Sequence, residues 1–157
     1  MDSEKKQEYT RRVSQANSTE LVIIIYDIAL DYIKEAKDAL KKGCFDDFES
    51  DIPLIQGCIY ELLESLHPEY ELAGNLRKLY GFCLRQISIS ASSRKPEGLF
   101  ETEKVLKPLR DAYEQIKGEN KNGPVMGNSQ TVFAGLTYGK EELIESLSTT
   151  PNRGYLV

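Results

Sequence analysis

Few residues of this chain have the types and the spacing that chemistry requires. Glu64 and His67 stand three positions apart, which is the spacing of one ligand pair in a helical two-metal site. Such a site needs two of these pairs, and His67 is the only histidine in the sequence. A single histidine that precedes a proline at a helix end also argues against a serine–histidine or cysteine–histidine relay. We therefore predict no bound metal, no cofactor and no enzymatic activity.

The three cysteines and one glycine-rich segment offer no further chemistry. Cys44 falls at a turn, whereas Cys58 and Cys83 fall on helical stripes, where a thiol packs as a small apolar group. An odd number of cysteines without CxxC spacing is typical of reduced thiols, so we predict a cytoplasmic protein. The segment from Gly123 to Gly127 lacks the lysine and the following helix of a phosphate-binding loop.

Length and charge define the broad class of protein. The chain of 157 residues with a net charge of −5 suits one domain that has its own core. The basic doublets at 11–12 and 41–42 are isolated, so we expect no nucleic-acid binding. Residues 1–12 are charged throughout and no apolar run approaches the length of a membrane span. We therefore expect neither a secretion signal nor membrane insertion.

The segment from Asn17 to Gly43 predicts the first long helix. Asn17 and Glu20 have the spacing of a capping box, and Gly43 follows two lysines that suit a helix C-terminus. Residues 21–26 are six apolar residues in a row, so Ile23 and Ile24 project toward the polar face of an otherwise amphipathic helix. We expect another part of the protein to cover these two side chains.

Three more helical patterns follow, and no strand pattern interrupts them. They cover residues 45–66, about 69–93 and about 95–118. Helices of about twenty residues with short connections predict an all-α fold, an antiparallel four-helix bundle. We therefore divide the chain into an N-terminal arm at 1–16, a bundle at 17–117 and a glycine-containing apolar tail at 118–157. The arm is polar apart from a few positions, and we expect it to lie loosely on the bundle.

The helix predicted at about 69–93 carries two apolar stripes. Its core stripe consists of Ala73, Leu76, Tyr80, Cys83, Ile87 and Ser90. Phe82 and Ile89 lie two turns apart on a different face. Together with Ile23 and Ile24 they exceed what a bundle core requires. A line of apolar side chains on a helix face indicates a surface that binds another protein segment.

Several short motifs resemble the flagellar secretion chaperones of the FliS family. Tyr9 and Val13 match the motif of that family's N-terminal arm, and residues 16–22 match an alanine-serine-proline-glutamate-glutamate-leucine string, with Asn17–Ser18 in place of serine-proline. Tyr26–Asp27 matches the tyrosine-aspartate of its first helix. The motifs follow one another in the family's order and spacing, and no single one is specific.

The resemblance extends to about residue 117. Residues 79–82, with Arg85 and Ala91, match a leucine-tyrosine-aspartate-tyrosine stretch that ends in arginines and alanine-asparagine, and residues 110–113 match an arginine-aspartate-alanine-tryptophan. Gln86 replaces the second arginine, Ser92 replaces the asparagine, and Tyr113 replaces the tryptophan. These departures affect polar contacts at positions 86 and 92 rather than the fold.

The resemblance implies a four-helix bundle that binds the C-terminal region of flagellin in the cytosol. It also implies that the chaperone prevents premature polymerisation and delivers flagellin to the flagellar export gate. A partner that folds on binding needs a preformed apolar surface, because ordering its chain costs free energy. We predict that the residues that contact the partner are Tyr9, Val13, Ile23, Ile24, Tyr26, Phe82, Arg85 and Ile89.

Two further expectations concern the tail and a different function. The tail carries many apolar residues around 125–147, so we expect it to occupy the partner's groove in the same molecule or in a second copy, which would give a homodimer. The alternative function is a structural or adaptor bundle that self-associates through the same apolar face without a flagellin client.

Overall fold

The computed structural model describes residues 1–119 and 123–124, and this part of the chain is all-helical, without a strand. The predicted tail lies almost entirely outside the described residues. The five helices are α1 (Ser3–Gln15), α2 (Ser18–Lys42), α3 (Phe45–Glu64), α4 (Glu71–Ser93) and α5 (Glu97–Ile116), and α5 continues into a 3₁₀ turn at Lys117–Glu119. Among the described helices, none combines the length and apolar character needed to cross a membrane.

The predicted caps of α2 are confirmed. The Asn17 side chain accepts a hydrogen bond from the Glu20 backbone N–H at 2.9 Å, and the Glu20 carboxylate accepts one from the Asn17 N–H at 3.0 Å. These two bonds satisfy donors that a helix N-terminus otherwise leaves unpaired. At the other end Gly43 has φ 72°, a left-handed conformation that glycine adopts without a steric penalty.

The N-terminal arm is a helix, α1, that packs on α2. The Asp2 side chain accepts a hydrogen bond from the Lys5 backbone N–H at 2.9 Å and caps α1. Glu8 and Arg11 pair one turn apart on its exposed side. The sequence gives only a weak signal for this helix, because its residues are mostly polar and carry only a narrow apolar stripe.

The core lies between α2, α3, α4 and α5. Helix α2 packs against α3 and α5, and α4 packs against the same two helices. The largest fully buried side chains come from all four helices: Leu21, Tyr26, Ile33, Phe48, Ile55, Ile59, Leu62, Tyr80, Ile87 and Leu99. Every residue of the predicted core stripe of α4 is buried. Pro53 and Pro108 lie inside α3 and α5 and end neither helix.

Helices α4 and α5 approach each other closely at Gly98. A Cβ atom on Gly98 would lie 1.9 Å from the backbone oxygen of Gln86, which leaves no room for a side chain. Next to this contact the Leu99 backbone N–H donates to Ser90 Oγ at 3.1 Å, and Thr102 Oγ1 donates to the Gly98 carbonyl at 2.9 Å. Polar groups buried at the helix crossing are therefore hydrogen-bonded.

Candidate protein-binding surface

The residues predicted to contact a partner fall into two groups in the structure. Tyr9, Val13, Ile23, Ile24 and Tyr26 lie on α1 and α2, and all but the half-buried Val13 are buried. The remaining three, Phe82, Arg85 and Ile89, lie on α4, where Phe82 is half-buried and the other two are exposed.

The expectation that another part of the protein covers Ile23 and Ile24 is confirmed, because both side chains are almost fully buried. A pocket of about 290 Å³ lies beside them, and its lining also includes Arg12 and Gln15 of α1 and Lys117 beyond α5. The tertiary fold therefore supplies the cover that the sequence required. Helix α1 contributes to this cover.

Polar contacts hold α1 on α2. The Tyr9 hydroxyl donates to Asp31 Oδ2 at 2.5 Å, and Lys5 Nζ pairs with Asp31 Oδ1 at 2.9 Å. Burial, and then the bond to Asp31, raise the pKa of Tyr9 above its ordinary value. Arg12 donates to Asp27 Oδ2 at 2.8 Å. Because polar pairs near a surface contribute little free energy each, α1 is attached more weakly than the other helices.

Tyr26 lies in the core and is fully buried. Its hydroxyl is hydrogen-bonded to that of Tyr80, and its ring lies 5.7 Å from the ring of Tyr113. Burial, and then the proximity of Tyr80, raise the pKa of Tyr26 above the ordinary value of tyrosine. Tyr26 therefore joins α2, α4 and α5, and its position in a helix motif reflects packing.

One face of α4 carries an apolar stripe that is partly exposed along its length. We define the outer stripe as Leu72, Leu79, Phe82 and Ile89, with the uncharged residues Asn75 and Gln86 between them. These positions alternate steps of three and four residues, and Leu72 and Ile89 are 60% and 53% exposed. The sequence predicts Phe82 and Ile89 as outward-facing residues, and Leu72 and Leu79 extend the stripe beyond that prediction. The same heptad spacing, extended toward the N-terminus of α4, would have revealed them.

The outer stripe begins at an apolar pocket of about 410 Å³. Leu72 belongs to both features, and the other apolar walls of the pocket include Val22, Leu66, Leu76 and Tyr113. The walls therefore come from α2, the segment after α3, α4 and α5. A pocket of this size accepts one or two apolar side chains of a docked segment.

The cysteines and the histidine lie in surroundings that do not favour catalysis or metal binding. Burial raises the pKa of the Cys58 and Cys83 thiols to about 12, which keeps them protonated and unreactive. His67 pairs through Nδ1 with Glu69 at 3.1 Å. Within residues 1–119 and 123–124, no three His, Cys, Asp or Glu side chains form a group that could hold a metal ion.

The described part of the chain is all-helical and leaves side chains of the outer stripe of α4 exposed, a feature that it shares with helical protein-binding surfaces. The family model for the flagellar protein FliS matches residues 1–120, so the chain belongs to the FliS family. This membership supports a role as a flagellar export chaperone. A comparison with curated proteins finds no match.

Proposed function

We propose that this protein is an export chaperone that binds the C-terminal region of flagellin in the cytosol. It thereby prevents premature polymerisation and delivers flagellin to the flagellar export gate. The observation that carries the proposal is the outer stripe of α4, a partly exposed line of uncharged side chains that Arg85 flanks, on a member of the FliS family.

We also propose that α2–α5 form an antiparallel four-helix bundle. Contacts at both ends support this arrangement. The pocket at the start of the outer stripe brings together the first turn of α2, the segment after α3, the first turn of α4 and the end of α5. At the far end Arg94, just after α4, pairs with Glu49 near the start of α3. Neighbouring helices in such a bundle leave a groove between them that a client helix can fill.

The outer stripe suits a client that folds on binding. Leu79, Phe82 and Ile89 are held on a helix that is anchored by a fully buried core stripe, so the chaperone loses little conformational freedom when it binds. A docked segment removes the exposed part of these side chains from water. This burial stabilises the complex by about 25 cal/mol per Å² of apolar surface. This term must exceed the free energy of ordering the client chain.

The eight predicted contact residues then take different roles. Phe82, Arg85 and Ile89 contact the client directly. Tyr9 and Val13 hold α1 in place, and Ile23 and Ile24 form a second apolar patch that the client reaches when α1 moves aside. Tyr26 keeps α2, α4 and α5 together.

Calorimetry with a flagellin C-terminal peptide tests the proposal. We expect binding with a large negative heat-capacity change, because apolar surface is buried. Leu79→Asp should weaken binding by about tenfold or more, since it removes an apolar contact and would place an unpaired carboxylate against the client. Leu54→Asp is the matched control, because Leu54 is a similarly exposed leucine on α3.

Absence of binding in the tens of micromolar range would reject the flagellin client. A protein that instead dimerises through the outer stripe, and loses this dimer in Leu79→Asp, would be the adaptor bundle. Sedimentation of the peptide-free protein distinguishes the two functions.

A further inference from the structure

We propose that the outer stripe of α4 is occupied by the tail of the same molecule when no client is bound. The occupant is the segment 125–138, with Val125 and Met126 in the pocket at Leu72 and Val132–Tyr138 along Leu79, Phe82 and Ile89. The contact itself is independent of the identity of the client, whereas its regulatory meaning rests on the proposed function.

The place where the described helices end supports this assignment. Tyr113 forms part of the pocket wall, and the chain continues from it through the end of α5 to Glu119. These six residues of helix advance the chain by only about 10 Å. The next six residues can span up to about 20 Å. Val125 and Met126 are therefore within reach of the pocket.

The length of the tail matches the length of the stripe. Leu72 and Ile89 are separated by roughly 25 Å along the axis of α4 at 1.5 Å per residue. The segment 125–138, if extended, reaches about 45 Å. It can therefore follow the whole stripe without strain and still leave residues 139–157 beyond its far end.

Charge also favours this pairing. Residues 122–139 include no charged side chain, although 29% of the residues in the whole chain are charged. The outer stripe is likewise uncharged. Docking one on the other removes apolar side chains from water without burying an unpaired charge, which is the main cost of a mismatched contact.

The covalent connection lowers the affinity that the contact needs. A tether of this length gives an effective concentration on the order of millimolar. An intrinsic dissociation constant of about 0.1 mM is then enough to occupy the stripe in roughly nine molecules of ten. A client that binds with micromolar affinity displaces the tail at modest excess.

Photo-crosslinking of the full-length protein tests the contact without flagellin. A benzophenone amino acid is placed at Ile89, and a second protein carries it at Tyr60, an exposed residue of α3. Mass spectrometry then identifies the captured residues. We expect the probe at Ile89 to capture 125–138 of its own chain, and the probe at Tyr60 to capture none of this segment.

A second variant pair keeps the test specific. Phe133→Asp should weaken the contact by about ten- to a hundredfold and therefore lower the capture yield at Ile89 by about two- to tenfold, because one buried aromatic side chain is lost. Thr149→Asp, which adds the same charge outside the segment, should leave the yield unchanged. Absence of capture at Ile89 would overturn the proposal, and so would capture of a second copy, seen at the mass of a dimer. Calorimetry with the flagellin peptide reads out the proposed function separately.

Discussion

Arg110 donates its Nε–H to Asp27 Oδ1 at 2.8 Å, across 83 positions of sequence. The other carboxylate oxygen of Asp27 accepts a hydrogen bond from Arg12 at the same distance. One half-buried carboxylate on α2 therefore joins α1 and α5. Asp27 and Arg110 belong to two of the motifs that resemble the FliS family, so these motifs meet in space.

Loss of the Asp27 carboxylate should destabilise the protein. Asp27→Asn removes the charge that both arginines face, and hydrogen bonds to charged groups contribute about 1.5–3 kcal/mol each when well formed. We expect the free energy of unfolding in urea to fall by about 1–3 kcal/mol. Asp38→Asn is the control, since Asp38 is more exposed and makes only a 3.7 Å pair with Lys34. Equal losses in the two variants would contradict this role of Asp27.

Helix α1 should open more readily once the Tyr9 hydroxyl is removed. Tyr9→Phe keeps the ring but deletes the bond to Asp31, which contributes about 0.5–1.5 kcal/mol. We expect backbone amides of residues 5–15 to exchange with solvent about two- to tenfold faster, while amides of the α2 core are unchanged. If α1 also competes with the client, added flagellin peptide should accelerate exchange in the same residues of the wild type. Exchange that is insensitive to the peptide would show that α1 stays in place.

An aspartate should affect client binding at one isoleucine of α4 and protein stability at another. Ile89→Asp places a charge on the exposed stripe, so we expect a stability change within about 0.5 kcal/mol and at least tenfold weaker client binding. Ile87 is fully buried, so Ile87→Asp should unfold the protein or lower its melting temperature sharply. Circular dichroism melts and peptide calorimetry measure the two effects. Similar behaviour of the two variants would refute the assignment of faces on α4.

Two glycine-to-alanine changes should have opposite signs. At Gly98 the new methyl group would collide with the Gln86 carbonyl, and overpacking of this kind costs about 1–3 kcal/mol or more. At Gly57, within α3, nothing lies within 4 Å of the new atom. Gly57→Ala should therefore stabilise the protein by about 0.5–1 kcal/mol through helix propensity. Urea titrations of both variants measure the difference, and a neutral Gly98→Ala would show that α4 and α5 can separate without cost.

Alkaline pH should destabilise the protein through its buried acids. Burial raises the pKa of Cys58 and Cys83 to about 12 and raises the pKa of Tyr26 and Tyr80 above its ordinary value. The native state therefore keeps protons that the unfolded chain releases above about pH 8.5 for thiols and about pH 10 for phenols. Below these unfolded-state pKa values the groups do not reduce the free energy of unfolding. Above them the free energy of unfolding falls as the pH rises.

Each such group should lower the free energy of unfolding by about 1.4 kcal/mol per pH unit above its unfolded pKa. Urea unfolding at stepped pH between about 8 and 11 measures this slope. Cys83→Ala removes one titrating group and should therefore make the slope shallower by about 1.4 kcal/mol per pH unit. Cys44→Ala, at an exposed cysteine, is the matched control. A slope that is the same in the wild type and in Cys83→Ala would contradict the burial of this thiol in solution.

Features that depend on neighbouring residues could be predicted from the sequence. The capping box of Asn17 and Glu20, the left-handed turn at Gly43 and the 3.6-residue period of the core stripes are set within a few residues. The all-helical class and the buried and exposed faces of α4 followed from them. Local hydrogen bonding and side-chain periodicity leave few other conformations to such segments.

The tertiary structure decided what lies next to what. Ile23 and Ile89 both exceeded the needs of one helix stripe, yet the fold buries Ile23 and leaves Ile89 exposed. The pairing of Asp27 with Arg110 and the position of Tyr26 in the core depend on contacts between residues that are far apart in the chain. Sequence period identifies a surplus apolar side chain, but only the packing of helices determines whether another element of the same chain removes it from water.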